Sequence, residues 1–248
     1  IRAFVKKHPA KIMVHLAAFT NVNACFEQTG DKEGLAYQVN VEGTANISQV
    51  CQENDIYLIH VSTGFVFAGD KKEPYTEKSE RNPIEWYGQT KAWAEEKVEE
   101  ILSDYVIARI GYPYRAQFED KPGVVAKIKN GLEAGNLYPQ FTDMTITPTF
   151  IDDIARTFDA IIQQKPQGIF HLHGSSSLSP YELAVKVAEA FDYDPNQIKK
   201  GSLEEYLKTT DRPYQKHLIM ANDKVQTELG LKLSTIDQGL AEIKRQLA

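Results

Sequence analysis

Tyr87-Gly88-Gln89-Thr90-Lys91 places a phenol and an ammonium four positions apart. On a helix, residues at that spacing lie on one face, so the two groups stand side by side. A phenol with an ordinary pKa near ~10 is a poor acid–base group at neutral pH. A neighbouring ammonium favours the phenolate and lowers that value. Such a pair can pass a proton to or from a carbonyl or alcohol oxygen. Upstream, an apolar run ending at Val61 leads straight into Ser62-Thr63. Ligands of open parallel sheets bind at the carboxyl ends of strands, so a hydroxyl there can donate to a substrate oxygen. Taken singly, each signal has a plainer reading. Tyr and Lys are common on helix surfaces, and Ser-Thr often caps a turn.

The elements that must position these groups alternate along the chain. Residues 12–17 form a short apolar run, read as a buried strand. Residues 33–51 are helical in pattern, with Leu35, Val39, Ala45, Ile47 and Val50 on roughly one side. Strands are expected at 56–61, 105–110 and 169–172, and helices at 86–102 and 151–163. Asp152 and Asp153 favour the positive end of the last helix. This order implies right-handed crossovers and an α/β doubly wound parallel sheet, Rossmann-like. The final third reads differently. Ser179-Pro180-Tyr181-Glu182 is a capping-box start, Asn222 could cap a helix ending before Gly230, and Ser234 could cap the last helix. Residues 1–112 plus 151–173 are therefore read as a nucleotide-cofactor-binding domain. Residues 113–150 plus 174–248 are read as a small, mostly helical substrate lobe.

Composition bounds the function. A net charge of −6 argues against nucleic acid as a partner, and no apolar run reaches the ~20 residues of a membrane helix. Cys25 and Cys51 sit in no CxxC pair, so no disulfide framework is expected and a reducing, cytoplasmic location is the default. His60 reads as a packed strand residue. His171 and His173 share a strand face without a nearby acidic or thiol ligand, so no metal site is expected. Ser175-Ser176-Ser177 reads as a turn. No GxGxxG occurs, although a dinucleotide fold opens with a strand, a glycine-rich turn and a helix. The chain is thus expected to start inside a helix at 1–8, N-terminally truncated with that opening upstream, and to bind cofactor poorly by itself.

Several segments together carry a family resemblance. His60-Val61-Ser62-Thr63-Gly64-Phe65-Val66-Phe67-Ala68-Gly69 resembles the S-T-D-Y-V-F-D-G segment of dTDP-4-dehydrorhamnose reductases, a branch of the extended short-chain dehydrogenases. Pro74-Tyr75-Thr76-Glu77, and Asn82-Pro83 followed by Tyr87-Gly88-Gln89-Thr90-Lys91, are similar to the segments that follow it there. Ala17-Ala18-Phe19-Thr20-Asn21-Val22-Asn23, Val39-Asn40-Val41-Glu42-Gly43-Thr44, Thr147-Pro148-Thr149-Phe150-Ile151-Asp152-Asp153 and Gly168-Ile169-Phe170-His171 extend the likeness over nearly the whole chain, and Arg212-Pro213 and Leu229-Gly230 fit its close.

The resemblance implies NAD(P)H-dependent reduction of a 4-keto nucleotide sugar. Tyr87 would donate the proton, Lys91 would hold the nicotinamide ribose and keep the Tyr87 pKa low, and Thr63 would hydrogen-bond the keto oxygen. Ala17, Ala18, Asn40 and Ser62 would lie at the cofactor, NADPH or NADH. Gly64, Phe65, Arg115 and Thr149 would face the nucleotide-sugar substrate. Gly64-Phe65 stands where the family has Asp-Tyr, Ala68 replaces an Asp before the glycine, and Asn23 replaces another. These changes strip acids and a hydroxyl from the substrate-facing loop. A nucleotide-sugar epimerase or dehydratase is a second reading, though dehydratases carry acids beside the threonine. A non-catalytic subunit resembling the regulatory β subunit of methionine adenosyltransferase is a third. NAD against NADP, the sugar and base, and the oligomeric state, a homodimer among the candidates, stay open.

Overall fold

The computed structural model describes residues 1–116 and 122–248. Four parallel strands form the central sheet in the order β1-β2-β3-β7: β1 (Ile12–His15), β2 (Tyr57–Thr63), β3 (Tyr105–Ile110) and β7 (Gly168–His171). Helices α1 (Arg2–Lys7), α2 (Val22–Phe26), α3 (Leu35–Tyr37), α4 (Gly43–Glu53), α5 (Trp86–Ile101) and α7 (Ile151–Gln164) lie between or before these strands. The doubly wound expectation holds, since every strand pair is parallel.

The strand sequences explain their burial. Leu58 and Ile107 point to one face and pack with Val50, Cys51, Val98 and Leu102. Their chain neighbours Ile59, Val106 and Ala108 point to the other and pack with Ile154, Ile161 and Phe170. Alternate residues of a strand face opposite ways, and a sheet covered on both faces needs apolar residues in both directions.

A second core forms away from the sheet. It joins Tyr114 of β4 (Pro113–Tyr114), Phe150 of β6 (Thr149–Phe150), α6 (Val124–Glu133), α8 (Pro180–Ala190) and α11 (Ile236–Leu247). The short strands β4 and β6 pair with each other, and β5 (Gln140–Phe141) pairs with β8 (Lys200–Gly201). Helix α9 (Leu203–Leu207) joins this core through Leu203. Helix α10 (Asp223–Leu229) does not. Its Val225 and Leu229, with Leu233, pack on the sheet, so residues 174–248 are not one packing unit.

Several boundaries differ from the sequence expectation for physical reasons. The helix expected over 33–51 is broken by a π-turn over Gln38–Glu42, which buries Asn40 and Val41. The strand expected over 56–61 runs on through Ser62 and Thr63, because these pair in register with Arg109 and Ile110. Ser179 caps α8 with Glu182 in a capping box, as expected. Ser234 does not cap α11. Thr235 does, with Gln238, while the Ser234 N–H and hydroxyl go to Asp153. Asn222 occupies the first position before α10, but its amide donates to the His173 carbonyl and to Ser175. Gly230 closes that helix at φ 68°, a left-handed conformation that suits glycine.

Candidate active site

The site forms where β2 ends and α5 begins. Glu85 starts α5 by accepting the Tyr87 and Gly88 N–H groups at 2.8 and 2.7 Å. Gly88 is required there, because a Cβ on it would run into the Phe65 carbonyl oxygen. That close approach brings the loop after Thr63 against the first turn of α5. Thr63, whose Oγ1 accepts the Phe65 N–H at 3.3 Å, is thereby brought to the Tyr87 hydroxyl, where it favours the phenolate. Phe65 stands edge-on to the Tyr87 ring, 5.7 Å between centroids, and 6.2 Å from Tyr112.

Burial raises the Tyr87 hydroxyl well above the usual phenol value, and Thr63 opposes this only in part. The expected lowering by Lys91 is therefore not what the structure shows. Desolvation of a would-be phenolate dominates, and the Glu85 and Cys25 charges add to it. Lys91 points deeper, to strand β2. Its Nζ donates to the Val61 carbonyl at 2.9 Å and lies 3.3 Å from His60 Nε2. Burial pulls Lys91 down to about 8, against the attraction of Glu95.

The other expected site residues divide. Leu16 and Ala17 are exposed just past the end of β1, with Ala18 half-buried beside them. Asn40 is wholly buried. Its amide accepts the Phe19 N–H and donates to the Phe19 carbonyl and to Thr90 Oγ1, at 2.7, 3.2 and 2.9 Å. It holds the loop after β1 against α5 and offers no polar atom to a ligand. Ser62 is likewise spent, donating to Glu95 Oε1 at 2.5 Å. Thr149 is buried and donates to the Gly111 carbonyl at 2.8 Å, which ties β6 to the end of β3. In all three, the side-chain polar atoms are bonded within the frame. Gly64 is buried beside Thr63, and a Cβ there would meet His173 Nε2 and Met220 Sδ, both at 3.4 Å. Arg115 follows β4 and is half-buried.

Two features escaped the sequence reading. The first is a buried charge cluster under the site. Glu95 accepts from Arg109 Nε and Nη2 at 2.9 and 2.6 Å and from Arg81 at 3.1 Å, and Arg109 Nη1 lies 3.2 Å from His171 Nε2. An arginine inside the apolar run Tyr105–Ile110 was the available signal. The second is Arg212. Its guanidinium sits 3.6 Å over the Tyr214 ring, and its charge partly opposes the rise that burial imposes on the Glu85 carboxyl and the Tyr112 phenol. No local pattern links Arg212 to this site. Among the described residues there is no cluster able to hold a metal and no helix long and apolar enough to cross a membrane.

A parallel nucleotide-type sheet with a strand-end threonine meeting the tyrosine of a Tyr-x-x-x-Lys helix defines an extended short-chain dehydrogenase/reductase, an NAD(P)-dependent oxidoreductase. Within that class the chain belongs to the family described as RmlD substrate binding domain, whose model matches residues 1–248. It is 28% identical over 240 residues to a probable low-salt glycan biosynthesis reductase of Haloferax volcanii, covering 96% of this chain and 78% of that protein. It is 30% identical to the spore coat polysaccharide biosynthesis protein SpsK of Bacillus subtilis, covering 82% of this chain and 68% of that one. A crystal structure of a dTDP-4-dehydrorhamnose reductase from Clostridium acetobutylicum superposes with a TM-score of 0.87 at 27% identity, over 99% of this chain and 84% of that chain.

Proposed function

We propose that the protein reduces a 4-keto nucleotide sugar, dTDP-4-dehydrorhamnose to dTDP-rhamnose, using NADPH or NADH. The observation that carries this reading is the meeting of Thr63 and the Tyr87 hydroxyl at the carboxyl end of β2, with Lys91 on the same helix. Names among its relatives support the substrate. The Clostridium structure is of a dTDP-4-dehydrorhamnose reductase, and a relative from Streptomyces niveus, 28% identical, is a dTDP-4-keto-6-deoxy-D-glucose reductase.

The residues present fit a nicotinamide cofactor. Lys91 commits two hydrogen bonds inside the protein and keeps one ammonium proton for a ribose hydroxyl. Ala17 and Ala18 leave room at the end of β1. The cofactor supplies the hydride when bound. The protein's own part is the proton. A phenol held protonated by burial is the form that can donate, so Tyr87 gives its proton to the keto oxygen as that oxygen takes on negative charge. Thr63 holds the same oxygen from the strand end. Phe65 and Tyr112 supply an apolar wall beside Tyr87. Gly64 carries no acid, and the side-chain atoms nearest it belong to His173 and Met220, which disfavours dehydration. Arg115 and Arg212 are the cations we assign to the substrate's diphosphate.

The test follows NADPH absorbance with dTDP-4-dehydrorhamnose supplied to the protein. Turnover is expected, and Tyr87→Phe should lower it at least ~100-fold with the fold retained. A Tyr87→Phe variant as active as the parent refutes the assigned proton donor. Intact cofactor binding without turnover refutes the assigned substrate.

A further inference from the structure

We propose that His60 is a positioning residue for Lys91: it accepts one ammonium hydrogen bond while the Val61 carbonyl accepts a second, so that Lys91 is aimed with one proton left for a ligand hydroxyl at the strand ends. The inference rests on the reductase reading for the identity of that ligand, but its geometry stands by itself. Lys91 Nζ lies 2.9 Å from the Val61 oxygen and 3.3 Å from His60 Nε2. His60 is fully buried and Lys91 nearly so. An ammonium has only protons to give, so His60 Nε2 must be the acceptor and its proton must sit on Nδ1. That Nδ1 has no partner.

An unpartnered buried N–H is costly, and a leucine or phenylalanine would fill the same space without it. Packing alone therefore does not explain a histidine here. The groups around Lys91 make His60 the acceptor that matters. His15, the register partner of His60 on β1, lies tilted against it at 5.1 Å between ring centroids and is engaged with Thr44 at 3.1 Å. Burial and the Lys91 charge bring His15 down to about 4, and burial holds His60 well below its ordinary value, with Lys91 and His15 adding to this. Both rings are neutral at pH 7, so neither repels the ammonium. On α5 itself, Tyr87 is a neutral phenol at that pH, and Glu95 favours the ammonium but is already held by Arg109, Arg81 and Ser62. With burial having brought Lys91 down to about 8, its charge near neutral pH depends on these few acceptors.

The neighbouring polar chain reinforces the aim. Thr44 Oγ1 donates to the Asn40 carbonyl, the Asn40 amide donates to Thr90, and Thr90 donates to the Tyr87 carbonyl. The π-turn and the start of α4 are thus tied to α5 at Thr90, the residue before Lys91.

The experiment labels lysine side chains with carbon-13 in the protein, assigns Lys91 with Lys91→Arg, and titrates it by NMR. His60→Leu should lower the Lys91 pKa by about one pH unit, the loss of one charged hydrogen bond. His60→Gln, which keeps an acceptor oxygen, should recover at least half of that shift. NADP⁺ binding read by protein fluorescence should weaken about tenfold in His60→Leu and recover in His60→Gln. If His60→Leu does not fold, His60→Met gives the same comparison at similar volume. An unchanged Lys91 titration in the folded apolar variant overturns the inference, as does a glutamine variant no better than it. A protein that reduces no keto sugar can still show the Lys91 shift. A working reductase whose Lys91 ignores His60 overturns this inference alone.

Discussion

Glu95→Gln removes the anion from the most deeply buried charged cluster of the protein. Glu95 is 0% exposed and Arg109 1%. The substitution keeps the shape and one acceptor oxygen but leaves the Arg109 guanidinium in the core without a counter-charge, beside Phe67 and His171. Removing one partner of a buried ion pair costs about 3–5 kcal/mol, because the other charge stays desolvated. Arg81 reaches Glu95 from a site 23% exposed, so it can return to water and adds little to the loss. A value near ~3 kcal/mol is therefore expected, read as a drop in the urea midpoint of about 1 M or more at pH 7. The pH dependence has a definite sign. Burial pushes the Glu95 carboxyl up, but the hydrogen bonds and charge of Arg109, with Ser62 and Arg81, outweigh it and hold the value below 4.5. A lowered carboxylate contributes stability that is full above its unfolded pKa and is lost as pH falls through the folded one. The gap between parent and variant should stay constant from neutral pH down to about 4.5 and close below it. The double variant Glu95→Leu with Arg109→Met should recover much of the loss, since apolar residues need no partner. A Glu95→Gln protein within ~1 kcal/mol of the parent, or a double variant no better than the single one, refutes the argument.

Three further outcomes are expected. Gly88→Ala should push the start of α5 off the Phe65 carbonyl, at a cost of about 1–3 kcal/mol and with a larger fractional loss of activity than of folded protein, checked by parallel melting and turnover. Thr149→Val should cost about 1 kcal/mol through the lost Gly111 bond, with KM for the sugar unchanged; a raised KM at full stability would return Thr149 to the substrate. Burial pushes the Cys25 and Cys51 thiols up to about 12 and about 11, so Ellman's reagent at pH 8 should find them only after unfolding, and rapid native reaction would contradict this.

Much of the fold is legible along the chain because it is periodic. The runs at 105–110 and 151–163 announce a strand and a helix, and the structure differs at their ends by one residue at most. Local capping chemistry was readable at Ser179, whose partner is three residues away, and misread at Ser234, whose partner Asp153 is distant in sequence. The helix over 33–51 carried no sign of its π-turn, since that turn exists to bury Asn40 against Phe19 and Thr90.

By itself, the sequence determined the alternating α/β order, the Tyr87–Lys91 spacing on one helix face and the hydroxyl of Thr63 at a strand end. Each is a property of a few consecutive residues. Only the tertiary structure decided what those groups meet. It turned Lys91 toward Val61 and His60, raised rather than lowered the Tyr87 phenol, spent Asn40, Ser62 and Thr149 on the frame, and joined Glu95 to Arg109 beneath the site. Desolvation and through-space pairing set these outcomes, and both depend on which distant segments close over a side chain.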